Sequence, residues 1–211
     1  MKLLALADIH ADEATVDRLR VRLSKNPYDA VLVAGDLTNH GPLSFAQDLL
    51  SFLDRTYAIH GNMDPPEVAR LLEEKGVGIH GKRVPLGGGY AVAGFGGSNP
   101  TPFNTPTEYS EEEITSGLSR LRIDPKTILL THAPPYGLLD TVGEGIHVGS
   151  KSIRAVIEAK QPLLNICGHI HECEGEGEIG KTKVIKLGAA EKGKAAEITI
   201  DKEIKTKFIF L

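Results

Sequence analysis

Five short apolar runs, each ending at a residue type that binds metals, constrain this chain more than anything else in it. The central one is Ala30-Val31-Leu32-Val33-Ala34-Gly35-Asp36, an unbroken apolar stretch of strand length that stops at a glycine and delivers one carboxylate. A short run rich in β-branched residues and without polar alternation reads as a strand buried on both faces, as in a parallel sheet. The others are Leu3 to Ala7 before Asp8 and His10, Tyr57 to Ile59 before Asn62, Ile128 to Leu130 before His132, and Leu163 to Ile166 before His169 and His171. Open α/β sheets place their ligands at the carboxyl ends of their strands. A carboxylate can hold two cations at once, so Asp36 reads as the bridge of a dinuclear site and the other residues as its two halves.

The rest of the sequence fits strands and helices around these ends. Asp12 and Glu13 open a helix whose inner face carries Val16, Leu19 and Leu23, and Pro27 stops it. Ala46, Leu49, Leu50 and Leu53 form the stripe of a second helix. Pro65 and Pro66 begin a third, with Val68, Leu71 and Leu72 inside and Gly76 at its end. Strand and helix in alternation predict parallel pairing. The rhythm then changes: Gly78 to Leu86 and Gly89 to Gly94 read as two strands of a meander. Gly96 to Tyr109 is a long loop with Phe103 as its exposed aromatic, and a cover over the site is one use open to it. Ser110 and Glu113 form a capping box for a helix with Ile114, Leu118 and Leu121 inward, and Ser150 caps another with Ile153, Val156 and Ile157. The last 40 residues alternate, so Lys183 to Leu187, Ala196 to Ile200 and Lys205 to Phe210 are expected as antiparallel strands. Residues 1–211 read as one domain, two sheets packed face to face with helices outside.

Composition narrows the function. With 41% hydrophobic and 25% charged residues the chain is an ordinary globular one. A net charge of −4 argues against nucleic acid as a general partner, since such binding rests on phosphate neutralisation. It leaves room for a small phosphate ester held by metals. The apolar run at the amino terminus is cut short by Asp8, too early for a signal peptide, and no stretch has the length of a membrane span. The only cysteines, Cys167 and Cys173, read as reduced thiols, so the expected location is cytoplasmic.

Taken in order, the ligand-type motifs are Asp8-Ile9-His10, Gly35-Asp36, Gly61-Asn62-Met63-Asp64, His132 and Gly168-His169-Ile170-His171. As an ordered set they resemble the signature of the calcineurin-like metallophosphoesterases: Asp-x-His, Gly-Asp, Gly-Asn-His-Asp/Glu, a lone His, and Gly-His-x-His. The resemblance implies a four-layer α/β/β/α sandwich, two mixed β-sheets flanked by helices. It implies a first cation on Asp8, His10, Asp36 and His171 and a second on Asp36, Asn62, His132 and His169. It also implies hydrolysis by metal-activated hydroxide. Imidazole and carboxylate ligands without thiolate suit Mn, Fe, Zn or Ni, with Mg also allowed. Two such ions about 3.5–4 Å apart lower the pKa of a shared water and hold an ester in line for attack.

Met63 departs from the signature, standing where the family has a histidine that assists the phosphate or the leaving group. A thioether does neither. The expectation is a phosphodiesterase, or an enzyme for activated esters. Asp64, without that partner, reads as the N-cap of the helix that begins at Pro65. His147 lies in a glycine-flanked loop where Gly149 and Ser150 offer backbone donors to phosphate, and it is the candidate replacement donor; His40 is a second candidate. His60, His80 and Cys167 read as ordinary packing residues, Glu108 and Glu111 to Glu113 as a solvated helix start, and the lysines from Lys181 to Lys194 as an exposed hairpin face. The alternative function is a catalytically weak metal-binding scaffold on the same fold. A repair nuclease would want an accessory DNA-binding domain, and an amidohydrolase would carry its His-x-His early in the chain.

Overall fold

Three parallel strands threaded by helices begin the chain: β1 (Lys2–Leu6), α1 (Glu13–Lys25), β2 (Ala30–Ala34), α2 (Leu43–Phe52), β3 (Thr56–Ile59) and α3 (Pro66–Glu74). An antiparallel pair follows, β4 (Lys82–Gly87) and β5 (Tyr90–Phe95), then α4 (Glu111–Ser119) and β6 (Thr127–Thr131). A two-rung hairpin, β7 (Thr141–Val142) and β8 (Ile146–His147), precedes α5 (Lys151–Lys160) and β9 (Leu164–Cys167). The chain ends with β10 (Gly175–Ile179), β11 (Thr182–Lys186), β12 (Lys194–Ile200) and β13 (Ile204–Phe210). The computed structural model describes residues 1–211.

Two large mixed sheets result, ordered β13-β12-β1-β2-β3 and β10-β11-β9-β6-β5-β4. Because successive strand residues face opposite ways, each central strand feeds two cores. Leu3, Ala5, Leu32 and Ala34 meet Ile128, Leu130, Leu164 and Ile166 between the sheets. Leu4, Leu6, Val31 and Val33 turn outward onto Leu19 of α1, Leu49 of α2 and Leu72 of α3. On the far side, Leu129 and Ala93 pack under Ile114 and Leu118 of α4 and Ile153 and Ile157 of α5. The layers are therefore helix, sheet, sheet, helix, as the sequence pattern and the family resemblance implied. Each fully buried aliphatic side chain contributes about 1.5–3 kcal/mol.

The helix starts follow their sequence signals in three cases. Asp12 accepts from the Thr15 amide at 2.8 Å, Ser150 caps α5, and Ser110 with Glu113 closes both arms of its capping box. Other expectations need correction. The late strands do not form one antiparallel set: β12 and β13 pair as a hairpin beside β1, but β11 joins the second sheet, parallel to β9 and antiparallel to β10. The strand β10 was not legible, since its Gly-Glu-Gly-Glu sequence has no β-branched residue before Ile179.

Lys186 is not on an exposed face. It is fully buried, with Nζ donating to the carbonyls of Leu187 at 2.8 Å and Cys173 at 3.3 Å. Nor is Glu111 solvated: its carboxylate accepts from Ser150 Oγ at 2.9 Å and from the Lys151 and Ser152 amides at 3.0 and 2.8 Å, so one helix caps the start of another. Glu108 likewise folds inward, taking the hydroxyls of Thr101 and Thr105 at 2.6 Å each and tying the long loop into a fixed shape.

Glu197 on β12 joins three elements, accepting from Tyr28 Oη at 2.5 Å and Arg22 Nη2 at 2.6 Å and pairing with Lys2 at 3.0 Å. Burial opposes its ionisation, but the donors from Tyr28, Arg22 and Lys2 win and hold its pKa at about 2, below the ordinary 4.5. A depressed carboxylate pKa adds stability that is present above the unfolded value and is lost as pH falls toward the folded one. Glu197→Gln is expected to lose on the order of 1 kcal/mol at neutral pH, ~2–4 °C in melting temperature for a chain of this size. Thermal melts should show the gap between the two proteins closing from pH 4.5 down to about 2. A gap that stays constant across that window would contradict the assignment.

Candidate metal centre

The carboxyl ends of the parallel strands lie level within each sheet: Leu6 pairs with Val33, Ala34 with Ile59, and, across the seam, Leu130 with Ile166. Residues just past these ends line one cleft of about 1250 Å³. Two groups of ligand atoms form there, Asp8 with His10 and His171, and Asp36 with His132 and His169, each group lying within 4.8 Å. Asp36 stands between them, its Oδ2 3.3 Å from His132 Nε2 and 3.7 Å from His10 Nε2. Asn62 turns its Oδ1 to 2.8 Å from His132 Nε2 while its Nδ2 donates to Thr105 Oγ1 at 3.0 Å. All seven candidate ligands thus meet at one place.

The backbone is bent to bring them there. Asp8, His10, Asp36 and His169 all adopt positive φ, between 50° and 77°, a region that side-chain-bearing residues enter at a penalty and that clusters at functional sites. Two glycines allow the close approach. A Cβ on Gly61 would fall 2.0 Å from Asp36 Oδ1, and one on Gly35, itself at φ 92°, would fall 2.5 Å from His132 Nδ1.

The electrostatics call for positive charge. His132 Nδ1 donates to the Ala34 carbonyl at 2.7 Å, since a carbonyl can only accept, and this aims Nε2 at Asp36 and Asn62, both acceptors. Burial works against a charge on His132, yet the Asp36 carboxylate, helped by Asp8 and Ala34, lifts its pKa to about 9. His10 Nε2 and His171 Nε2 lie 3.2 Å apart, and His10 Nδ1 is buried without a partner. His169 is held near 3 by burial and then by the charge of His132, leaving its ring neutral. For Asp8, burial is outweighed by His171, whose Nε2 lies 3.7 Å from its Oδ1, and by the charges of His132 and Lys186, and its pKa falls below the usual range. Imidazole nitrogens and carboxylate oxygens facing one another at such distances are a donor set that fits divalent cations, whose charge would take the place of the proton on His132.

His40 and His147 also line the cleft, as does Met63. His147 does not stand alone, because its Nδ1 is 2.6 Å from Oδ1 of the fully buried Asp140. The expected backbone donors are already engaged: the Gly149 amide goes to Asp140 Oδ2 at 2.9 Å and the Ser150 amide to the Pro134 carbonyl at 2.9 Å. Asp64 is no helix cap. Pro65 takes that position without a side-chain bond, and the Asp64 carboxylate turns inward to the amides of Leu37, Thr38 and Gly61 at 3.0, 2.7 and 2.8 Å. Burial and then the Asp36 charge raise it to about 6 against those donors. Phe103 is 80% exposed, and its loop lines one wall of the cleft from Asn99 to Thr105. Sequence reasoning missed Thr105, Asp140 and Lys151. No spacing marks the first two, whose partners lie 43 and 7 residues away.

Residues 1–173 match the calcineurin-like phosphoesterase family. The chain belongs to that family. An uncharacterized protein of Methanocaldococcus jannaschii is 36% identical over 194 residues, covering 88% of this chain and 87% of that one. Two solved structures share the fold at 12% identity. A dimetal phosphatase from Danio rerio has a TM-score of 0.65, with 99% of this chain and 95% of that one covered. An archaeal phosphodiesterase has a TM-score of 0.62, with both chains covered in full.

If Asp36 belongs to both halves of the centre, its loss should affect two cations and the loss of His171 only one. Calorimetric titration of metal-stripped protein with Mn²⁺ is expected to give two equivalents for the unaltered chain. Asp36→Asn should weaken both, and His171→Ala should spare the tighter or the weaker site. A single equivalent, or equal effects of the two variants, would rule the bridge out.

Proposed function

We propose that this chain is a metal-dependent phosphoesterase with a preference for diesters. The observation that carries the reading is the meeting of Asp8, His10, Asp36, Asn62, His132, His169 and His171 at one cleft whose wall carries Met63. Asp8, His10, Asp36 and His171 would hold one divalent cation, and Asp36, Asn62, His132 and His169 a second. When bound, such ions supply positive charge to phosphoryl oxygens and acidify water.

The chain's own residues do the rest. His132 is locked by Ala34 and Asn62 by Thr105, so both present a fixed atom to the centre. Strand-end ligands held this way need little rearrangement as charge develops on the ester. Met63 offers no proton and no strong hydrogen bond to a departing oxygen. A monoester dianion brings two charges, with no donor at position 63 to meet the second, whereas a diester brings one. The cleft, at about 1250 Å³, is also larger than one phosphoryl group requires and accommodates a second ester substituent. The family membership supports the hydrolase class, and the archaeal phosphodiesterase that shares the fold is consistent with a diester preference.

Bis-p-nitrophenyl phosphate should therefore turn over faster than p-nitrophenyl phosphate in protein reloaded with Mn²⁺. Asp36→Asn should lower the diester rate by ~10²-fold or more, as expected when transition-state charge stabilisation is lost. Monoester turnover equal to or above diester turnover would refute the preference. No turnover of either with both cations bound would favour a binding protein instead.

A further inference from the structure

The hairpin β7–β8 carries a histidine into the cleft beside Met63. This inference rests on the phosphoesterase reading above and concerns how that site handles a poor leaving group. We propose that His147, positioned by Asp140, is the general acid that replaces the histidine missing at Met63.

The arrangement has the parts of a catalytic dyad. Asp140 is fully buried and both its carboxylate oxygens are engaged: Oδ2 takes the amides of Gly137 at 3.0 Å and Gly149 at 2.9 Å, and Oδ1 takes His147 Nδ1 at 2.6 Å. Three donors fix the carboxylate, and the carboxylate fixes the imidazole. With Nδ1–H engaged, the other ring nitrogen, Nε2, makes no hydrogen bond to the protein, and the ring lines the same cleft as Asp36, Asn62 and Met63. The ring packs 5.5 Å from Tyr136, and Thr141 pairs with His147 across the hairpin, so the loop is not a loose one. Asn99 anchors the hairpin's far end by donating to the Val148 carbonyl at 3.0 Å. A surface histidine with no role would not need a buried carboxylate held by two amides to orient it. By contrast, the carboxylate beside Met63 offers no such partner, because Asp64 is consumed by backbone amides.

The oxygen of water forms a bond to phosphorus while the bond from phosphorus to the leaving oxygen breaks, its electron pair staying on that oxygen. His147, as imidazolium, gives its Nε2 proton to the leaving oxygen and so releases a neutral alcohol or phenol. The proton lost by the attacking water passes to solvent, and His147, with a side chain 41% exposed, regains one from solvent while Nδ1–H stays on Asp140.

General acid help matters most for the leaving groups that need a proton. The test uses methyl aryl phosphodiesters running from dinitrophenol to phenol, with Mn²⁺-loaded full-length protein and elemental analysis of every variant. His147→Ala and His147→Gln should keep the full metal complement and lose kcat in a graded way, the deficit growing by ~10²-fold or more from the best leaving group to the worst. Asp140→Asn should steepen the same series, and the double variant with His147→Ala should be no worse than His147→Ala alone, which a merely structural role would not produce. If Asp140→Asn does not fold, the two His147 variants decide the question by themselves. A loss that is equal across the series, or no loss, overturns the dyad and leaves the phosphoesterase reading standing. An unaltered protein that binds its metals and hydrolyses none of the series overturns both.

Discussion

The hydrogen bond from His132 Nδ1 to the Ala34 carbonyl, 2.7 Å long, crosses from one sheet to the other at the level where both sets of parallel strands end. Most of what is chemically notable in the molecule follows from that crossing. It commits Nδ1 of His132 to the carbonyl, so Nε2 faces Asp36 and Asn62, and it ties the two sheets together at the site. Nearby, the His169 amide donates to both oxygens of Asp8 at 3.1 Å, and the Gly168 amide donates to the His132 carbonyl at 2.9 Å. The two halves of the candidate centre are stitched by backbone before any cation is considered.

Such a seam demands small residues. Ala5, Ala7 and Ala34 occupy the sheet interface near the strand ends, beside the larger Ile59, Leu130 and Ile166. A Cβ on Gly168 would lie 2.5 Å from that of Ala7 and 2.9 Å from Asp8 Oδ2. Small residues at these points let the two sheets approach, so candidate ligands from sheets that share no strand stand close together, His132 Nε2 lying 3.3 Å from Asp36 Oδ2. The positive φ values at Asp8, His10, Asp36 and His169 are the local counterpart of this compression.

This also explains what was legible in the sequence. Strands buried on both faces leave unbroken apolar runs, and a ligand-type residue follows each run, so five strand ends and seven candidate ligands stood out. Lys186 was misread because its charge suggested solvent, whereas its ammonium is satisfied by two carbonyls inside the protein. Glu111 and Asp64 were misread for the opposite reason. Each follows a local capping rule by position, but tertiary partners far along the chain offer better donors. Asp140 and Thr105 left no trace at all, since a hydrogen bond between loops imposes no periodicity. Period and strand length report the scaffold; contacts between loops, where the remaining polar machinery sits, are invisible to both.

Asp64 then makes sense of the variant motif. If its duty were to orient a histidine, a carboxylate beside Met63 would have no partner. Its carboxylate instead holds the amides of Leu37 and Thr38, immediately after Asp36, and the amide of Gly61, immediately before Asn62. Thr38 Oγ1 adds a further bond at 2.9 Å. One buried group therefore clamps the two turns that present Asp36 and Asn62, and the Met63 amide completes the clamp by donating to Asp36 Oδ1 at 2.8 Å. That last contact uses backbone alone, so it survives any side chain at position 63. The architecture of the motif is separable from its proton chemistry. A chain can keep the first, give up the second, and still hold its candidate ligands in place.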